Sequence, residues 1–306
     1  MRALINELKQ NIQQLDDLSS CSRVFHGRGK TLAGYEDITV EYLSGLLLVI
    51  MFGERPSSWW KALTEEIVST IESLTVDDVV FQARYQPQAP VFNSAGNPVT
   101  LDKVINESGL KYYIHIGGRQ NFGFFTDMKN GRNWVKEHSS ERRVLNLFSY
   151  TCSFSVAAIE GGAEKVVNVD MSSAALSVGR KNHQLNQHDL RSVMFQKLNI
   201  LKSWGRIKKS GPYDLIIVDP PSFQKGSFSV NRDYQKVVNR LAEMTAPDGD
   251  VLFCLNDPLV TIDDFEVFLK NENFEYVSRI ENPEVMKEVQ QDVGLKVLHY
   301  RKVASA

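Results

Sequence analysis

Apolar residues recur at helical spacing at the start of the chain. Leu4, Ile5, Leu8, Ile12 and Leu15 predict an amphipathic helix over residues 4–18. Residues 24–34 carry Gly27, Gly29 and Gly34 among His26, Arg28 and Lys30, and read as a basic, turn-rich loop. Two apolar runs, 38–43 and 46–52, flank Ser44-Gly45 and predict a β-hairpin. Pro56 opens a helix that runs to about residue 74. Strands are expected over 77–85 and 110–116, with a proline-rich loop or hairpin tip at 87–100. Together these predict a small α+β domain over residues 1–118.

From residue 143 the rhythm changes. Strand patterns at 144–148, 165–169, 192–196, 215–218, 251–255, 276–281 and 295–300 alternate with helical stretches at 153–161, 172–186, 201–209, 232–244 and 263–271. Such alternation predicts an α/β domain over 119–306: a Rossmann-like, mostly parallel sheet of seven strands covered on both faces. Ligands in such sheets lie beyond the carboxyl ends of the strands, where strand order reverses.

Composition narrows the picture. Of 306 residues 42% are hydrophobic and 24% charged, which suits a packed globular protein. The net charge is −2, which gives no support for a strongly basic nucleic-acid binder. Residues 1–127 hold 11 Lys+Arg against 15 Asp+Glu and the remainder 24 against 22, so the second part is the less acidic. The longest apolar run, 46–52, is far short of the ~20 residues that cross a bilayer. The first 17 residues show no signal-peptide pattern. Cys21, Cys152 and Cys254 have neither disulfide nor metal-ligand spacing. A cytoplasmic protein without a membrane span is the expectation.

Three segments carry candidate chemistry. Asn146-Leu-Phe-Ser-Tyr-Thr-Cys-Ser-Phe154 ends the first parallel strand, and it holds no glycine. A dinucleotide pyrophosphate needs close backbone approach, so this counts against a nicotinamide oxidoreductase. Alone, the segment reads as an ordinary strand-to-helix turn. Asp170 ends the next strand, where a carboxylate can accept both ribose hydroxyls of an adenosine; it or Ser172 could equally cap the following helix. The third is stronger. Tyr213-Asp-Leu-Ile-Ile-Val-Asp-Pro-Pro-Ser-Phe223 is a buried strand running into an acid, two prolines and an aromatic. The prolines stiffen the corner, Asp219 projects into the crevice, and Phe223 offers a ring for stacking.

Asn121-Phe-Gly-Phe-Phe-Thr-Asp-Met-Lys129, Leu145-Asn-Leu-Phe-Ser-Tyr-Thr151, Asp170-Met-Ser172, Asp219-Pro-Pro-Ser-Phe223 and Asn231-Arg-Asp-Tyr234 occur in this order. The set resembles the class I S-adenosylmethionine-dependent methyltransferases that modify bacterial 23S rRNA. The nearest likeness is to the guanine-N7-methylating half of the bifunctional large-subunit enzyme. The likeness is clear over about residues 110–300 and loose before them.

The resemblance implies S-adenosylmethionine as cofactor and rRNA as partner. It places Asp170 on the ribose, Met171 beside it, and Asn199 at the adenine amino group. Asn146, Phe148, Ser149, Tyr150 and Thr151 would line the rest of the cofactor, with Asp127 reaching or closing over it. Asp219, Pro220, Pro221 and Phe223 would face the acceptor base, and Asp219 the cofactor too. Arg232, Lys225, Arg28 and Lys30 could meet phosphates, though solvated surface charge explains each as well, and Arg232-Asp233 could be an internal ion pair. Cys152 stands where relatives often have glycine, and Lys129 where arginine is frequent. Cys254 falls inside a strand, so a covalent cysteine adduct is not expected. A methyltransferase for proteins or small molecules, or a non-catalytic RNA-binding assembly factor, remains an alternative. The sequence leaves oligomeric state open.

Overall fold

The computed structural model describes residues 1–15, 17–224, 226–290 and 294–303. It divides into two compact units, Met1–Asp127 with Pro283–Gln290, and Met128–Asn282 with Gln291–Ala306.

In the first unit, helix α1 (Arg2–Gln13) precedes β1 (Cys21–His26), β2 (Ile38–Leu43) and β3 (Leu47–Met51). Helix α2 (Ser57–Thr70) then crosses to β4 (Val79–Ala83), and β5 (Val91–Asn93) follows. The sheet order is β1-β2-β3-β4-β5, with β3 and β4 parallel and the other pairs antiparallel. The buried stripe Leu4, Ile5, Leu8 and Ile12 of α1 packs with Trp60, Leu63 and Ile67 of α2 on Val40, Val49 and Phe81 of the sheet. A separate hairpin joins β6 (Leu101–Glu107) to β7 (Leu110–Ile116). Strand β1 takes in the first three residues of the expected basic loop, 24–26, whose remainder is the turn Gly27–Gly29 and irregular backbone, and β6 was not expected at all. The unit extends beyond residue 118 because the chain folds back after β7, with the Phe122 carbonyl accepting from the His115 amide at 2.8 Å.

The second unit runs α3 (Lys129–Glu137), β8 (Arg143–Leu147), α4 (Ser153–Glu160), β9 (Lys165–Asp170), α5 (Ser173–Leu185) and β10 (Val193–Lys197). It continues through α6 (Trp204–Lys208), β11 (Tyr213–Val218), the two-residue strands β12 (Phe223–Gln224) and β13 (Phe228–Ser229), and α7 (Val230–Leu241). Strand β14 (Thr245–Asn256), α8 (Ile262–Leu269), β15 (Phe274–Arg279) and β16 (Leu295–Lys302) complete it.

Seven of these strands form one sheet of order β10-β9-β8-β11-β14-β16-β15. The first five are parallel, and β16 is antiparallel to both neighbours. Strand β11 shows why its last four residues are all apolar. Leu215 and Ile217 pack with Val135 and Phe154 from α3 and α4, while Ile216 and Val218 pack with Tyr234 and Val237 of α7 and Phe265 of α8. Alternating side chains reach opposite faces, and both faces are covered. No helix is long and apolar enough to cross a membrane among the described residues.

Candidate active site

Strand order reverses at β8. Strands β9 and β10 are laid down on one side of it, β11 and β14 on the other. A crevice is expected outside the carboxyl ends at such a point, so the segments leaving β8, β9 and β11 matter most.

The segment leaving β8 achieves a tight turn without glycine. Phe148, Tyr150 and Cys152 have φ of 57°, 44° and 61°. Each such non-glycine residue costs about 1–3 kcal/mol unless its surroundings impose the conformation. Here they do. The Ser149 amide donates to the Val169 carbonyl at 3.1 Å, the Tyr150 amide to Asp170 Oδ2 at 2.9 Å, and the Cys152 amide to the Ser149 carbonyl at 2.7 Å. The buried amide of Asn182 on α5 donates to the Thr151 carbonyl at 2.9 Å. Cys152 is fully buried, and burial pushes its thiol well above the ordinary range. Ser149 and Thr151 are buried beside it.

Asp170 is oriented from two sides. Its Oδ2 accepts from Tyr150, and its Oδ1 accepts from the Ser172 amide at 2.7 Å. The cap of α5 is Ser172, whose Oγ accepts from the Ala175 amide at 3.1 Å. Asp170 is therefore not spent on that helix. A carboxylate has about four acceptor positions, so two backbone donors leave about two, the number a vicinal diol requires. Met171 beside it is 39% exposed. At the end of β10 the Leu198 amide donates to the Asp170 carbonyl at 3.0 Å, which sets Asn199 beside this strand end. The Asn199 side chain caps no helix.

The segment leaving β11 forms the second wall. Pro220 is buried, Pro221 is exposed, and Phe223 is 70% exposed. The corner is tied down by the Ser222 hydroxyl, which donates to the Asn256 carbonyl at 3.0 Å, and by the Ser222 carbonyl, which accepts from Val230 at 3.1 Å. Beneath it the buried phenol of Tyr234 lies 3.0 Å from the Cys254 carbonyl and 3.3 Å from that of Val218, bridging the ends of β14 and β11. Burial first, then the charges of Cys254 and Asp219, push that phenol far above its usual range, so it stays a donor. Buried Asp233 accepts from the Ser229 amide at 3.1 Å and pairs with Arg232 at 2.6 Å and Lys236 at 3.0 Å. The Arg232 hydrogen bond is the main reason its carboxyl sits well below the usual range, against the opposing effect of burial.

The two walls meet through Phe148 and Phe228, whose rings pack edge-on at 5.0 Å between centroids. Phe228 itself is buried.

Other expected residues lie elsewhere. Asn146 is buried within the sheet, its amide donating to Asn168 Oδ1 at 2.9 Å. Asp127, 8% exposed, belongs to the first unit; nearby there, Thr126 donates to Glu41 at 2.6 Å and Glu41 pairs with Arg23 at 2.7 Å. Arg28 and Lys30 are exposed in the first unit. Arg232 forks onto its own neighbour Asp233, the internal pair, rather than standing open for a phosphate. Lys225 lies outside the described residues. Cys254 is fully buried in β14 with its thiol raised by burial and by Asp219, so it is not a nucleophile poised as thiolate.

Sequence reasoning gave no role to Ser222, Phe228 or Tyr234 in shaping this corner, and read Asp233 only as half of an internal ion pair with Arg232. Their signal was the polar and aromatic content of the stretch after Pro221, which only the fold brings back beneath Asp219.

These residues fit an adenosine-bearing sulfonium. A fixed carboxylate with spare acceptor capacity suits its ribose hydroxyls and an amide one strand away suits the adenine edge, while the exposed ring at the facing corner is left for a flat acceptor.

A family model described as S-adenosylmethionine-dependent methyltransferase matches residues 22–301. The Bacillus subtilis protein YwbD, whose name marks it as a candidate ribosomal RNA large subunit methyltransferase, is 27% identical over 289 residues, covering 87% of this chain and 70% of its own. Ribosomal RNA large subunit methyltransferase K/L of Shewanella sp. strain MR-4 is 37% identical over 164 residues, covering 51% of this chain and 23% of its own. The chain thus spans less than a quarter of that relative. Among solved structures, SMU.776 in complex with SAH superposes with a TM-score of 0.83 at 22% identity, over 98% of this chain and 80% of that one. At that identity the likeness is one of fold.

Proposed function

The chain belongs to the S-adenosylmethionine-dependent methyltransferase family, and on that premise we propose that it methylates a base nitrogen of large-subunit rRNA, with guanine the favoured base. The names of its relatives supply the substrate class. The observation within the chain that carries the reading is the corner after β11: an acid, a buried proline and, three residues further, a ring that is 70% exposed. An unpaired nucleobase is flat and offers hydrogen-bonding edges, so it is the acceptor that such a corner suits.

S-Adenosylmethionine, when bound, supplies an electrophilic methyl group on a positively charged sulfur. The chain's task is alignment. Asp170 takes the ribose hydroxyls, Met171 and Asn199 border the adenine, and Phe148, Ser149, Tyr150 and Thr151 surround the methionine end. Asn146 supports the loop from within the sheet. Phe223 stacks on the base. Guanine N7 carries a free lone pair and needs no base to deprotonate it. The ring becomes cationic as its new N–C bond forms and the methyl–sulfur bond breaks, the bonding pair leaving on sulfur as a neutral thioether, and the Asp219 carboxylate would stabilise the charge on the ring. With an exocyclic amine, Asp219 and the Pro220 carbonyl accept its N–H bonds and so aim the nitrogen lone pair. Rigid Pro220 and Pro221 keep both acceptors in place. The reaction takes place on cytoplasmic rRNA, with Lys225 as a candidate phosphate contact.

Mass spectrometry of 23S rRNA nucleosides from cells with and without the gene tests this. One methylated nucleoside should disappear without it. An unchanged profile, with labelled methyl groups instead entering a protein or metabolite fraction, would replace rRNA by another acceptor.

A further inference from the structure

We propose that the first unit carries a phosphate-holding site for RNA of its own, formed by Arg28 and Arg84, whose guanidinium groups both approach the Phe52 ring. It rests on the rRNA reading and deepens it by giving this unit a task.

The site is built on the turn Gly27–Gly29, which ends with Lys30 at φ 60°. A Cβ on Gly27 would stand 1.8 Å from the Tyr35 carbonyl oxygen, and one on Gly29 2.1 Å from that of Lys287. The Val289 amide donates to the Gly29 carbonyl at 2.8 Å. Both glycines are thus pressed against backbone, and Arg28 between them is held outward in solvent. Only glycine permits so close an approach.

The Arg28 guanidinium lies 4.6 Å from the centroid of the Phe52 ring, and that of Arg84 lies 5.7 Å from the same centroid. Arg84 donates to the Gln120 carbonyl at 2.7 Å and to Asn121 Oδ1 at 2.5 Å. Those partners are neutral. Among the described residues no carboxylate forms an ion pair with Arg28 or Arg84. Burial pulls the Arg84 guanidinium below its ordinary value, as do the positive charges of Arg23 and Arg28; Glu41 and Asp127 oppose this. Glu41 is already committed to Arg23 and Thr126.

Two guanidinium groups drawn to one ring repel each other, and an anion between them removes the penalty. A phosphodiester presents two oxygens that match the guanidinium fork. The acidic excess of residues 1–127 makes this a local grip rather than a general polyanion surface. Its task is to set the register of the RNA without reading its sequence.

The test is filter binding of a 23S rRNA transcript to the full chain across a salt series. Arg28→Gln, Arg84→Gln and Arg28→Lys are compared with wild type, with Arg191→Gln in the second unit as control. Calorimetry with S-adenosylmethionine checks that each variant keeps its cofactor site. Each glutamine variant should bind RNA about tenfold more weakly, with a salt slope shallower by about 0.7 for one lost phosphate contact. Arg28→Lys should lose less, and Arg191→Gln nothing. Wild-type RNA binding with unaltered affinity and slope in the glutamine variants would overturn the site and leave the rRNA reading intact. A wild type that binds no transcript would remove both. Arg28 is exposed, so its variant decides the matter even if Arg84→Gln folds poorly.

Discussion

Gly179 on α5 makes room for Cys152. A Cβ at position 179 would stand 2.4 Å from the cysteine Sγ and 2.9 Å from its Cβ. The side chain at 152, where relatives often have glycine, is thereby accommodated against the next helix and not in the crevice. Gly179→Ala should cost about 1–3 kcal/mol by overpacking and weaken cofactor binding by distorting the loop. Cys152→Gly should restore it. Denaturant unfolding of the two single variants and the double will show a coupling above the ~0.5 kcal/mol expected of independent sites.

Tyr234 positions the acceptor corner from below. Tyr234→Phe removes the donor shared by the Cys254 and Val218 carbonyls and should cost about 1–2 kcal/mol of stability. Because the phenol lies under Asp219 rather than against a ligand, kcat should fall while S-adenosylmethionine affinity stays within about twofold. Paired steady-state kinetics and calorimetry separate these from a general loss of fold.

Phe223 is assigned to stacking. Base–aromatic stacking is worth about 1–3 kcal/mol, so Phe223→Ala should lower kcat/KM for rRNA roughly 10–100-fold and Phe223→Tyr should restore most of it. A ring 70% exposed contributes little to packing, so the melting temperature should scarcely move.

His183 gives the fold an acid sensitivity. Its Nε2 is 2.9 Å from Ser155 Oγ, its Nδ1 is 2.9 Å from His188 Nδ1, and it is fully buried. Burial, then the charges of His188 and Arg180, lower its pKa to about 3. The unfolded chain protonates it near 6.5. Between about pH 6.5 and 3 the unfolded state binds the extra proton, so stability falls as pH falls, by up to about 1.4 kcal/mol per unit from this group. Urea denaturation at a series of pH values should show that slope, and His183→Gln should flatten it.

The second unit was legible because its strands are buried on both faces and its helices are not. Leu215–Val218 is apolar at every position, and the step from it into Asp219-Pro-Pro is visible in the letters alone. Strand β1 was not legible because its buried residues, Cys21, Val24 and Phe25, break the alternation of a strand at a bulge, and it runs straight into the Gly27–Gly29 turn. Helix α3 escaped notice since Lys129–Glu137 is mostly polar and contains Gly131; packing of Val135 against Val144 and Phe154 sustains it. In the site, Asp170 and the Asp219 corner follow from position at strand ends. The Asp170–Tyr150 bond and the Phe148–Phe228 contact join segments far apart in the chain, and no local pattern encodes them. Asn146 shows the converse: its place at the end of β8 suggested the crevice, whereas the strand's alternation turns it toward Asn168.

Titration of S-adenosylmethionine into wild type and Asp170→Ala, with melting curves for both, bears most directly on the account. One molecule should bind per wild-type chain, and the variant should bind about 10–100-fold more weakly, as expected when hydrogen bonds to a charged group worth about 1.5–3 kcal/mol are lost. Equal affinity in the two proteins, or no heat of binding with either, would contradict the placement of the cofactor at the carboxyl ends of β8 and β9.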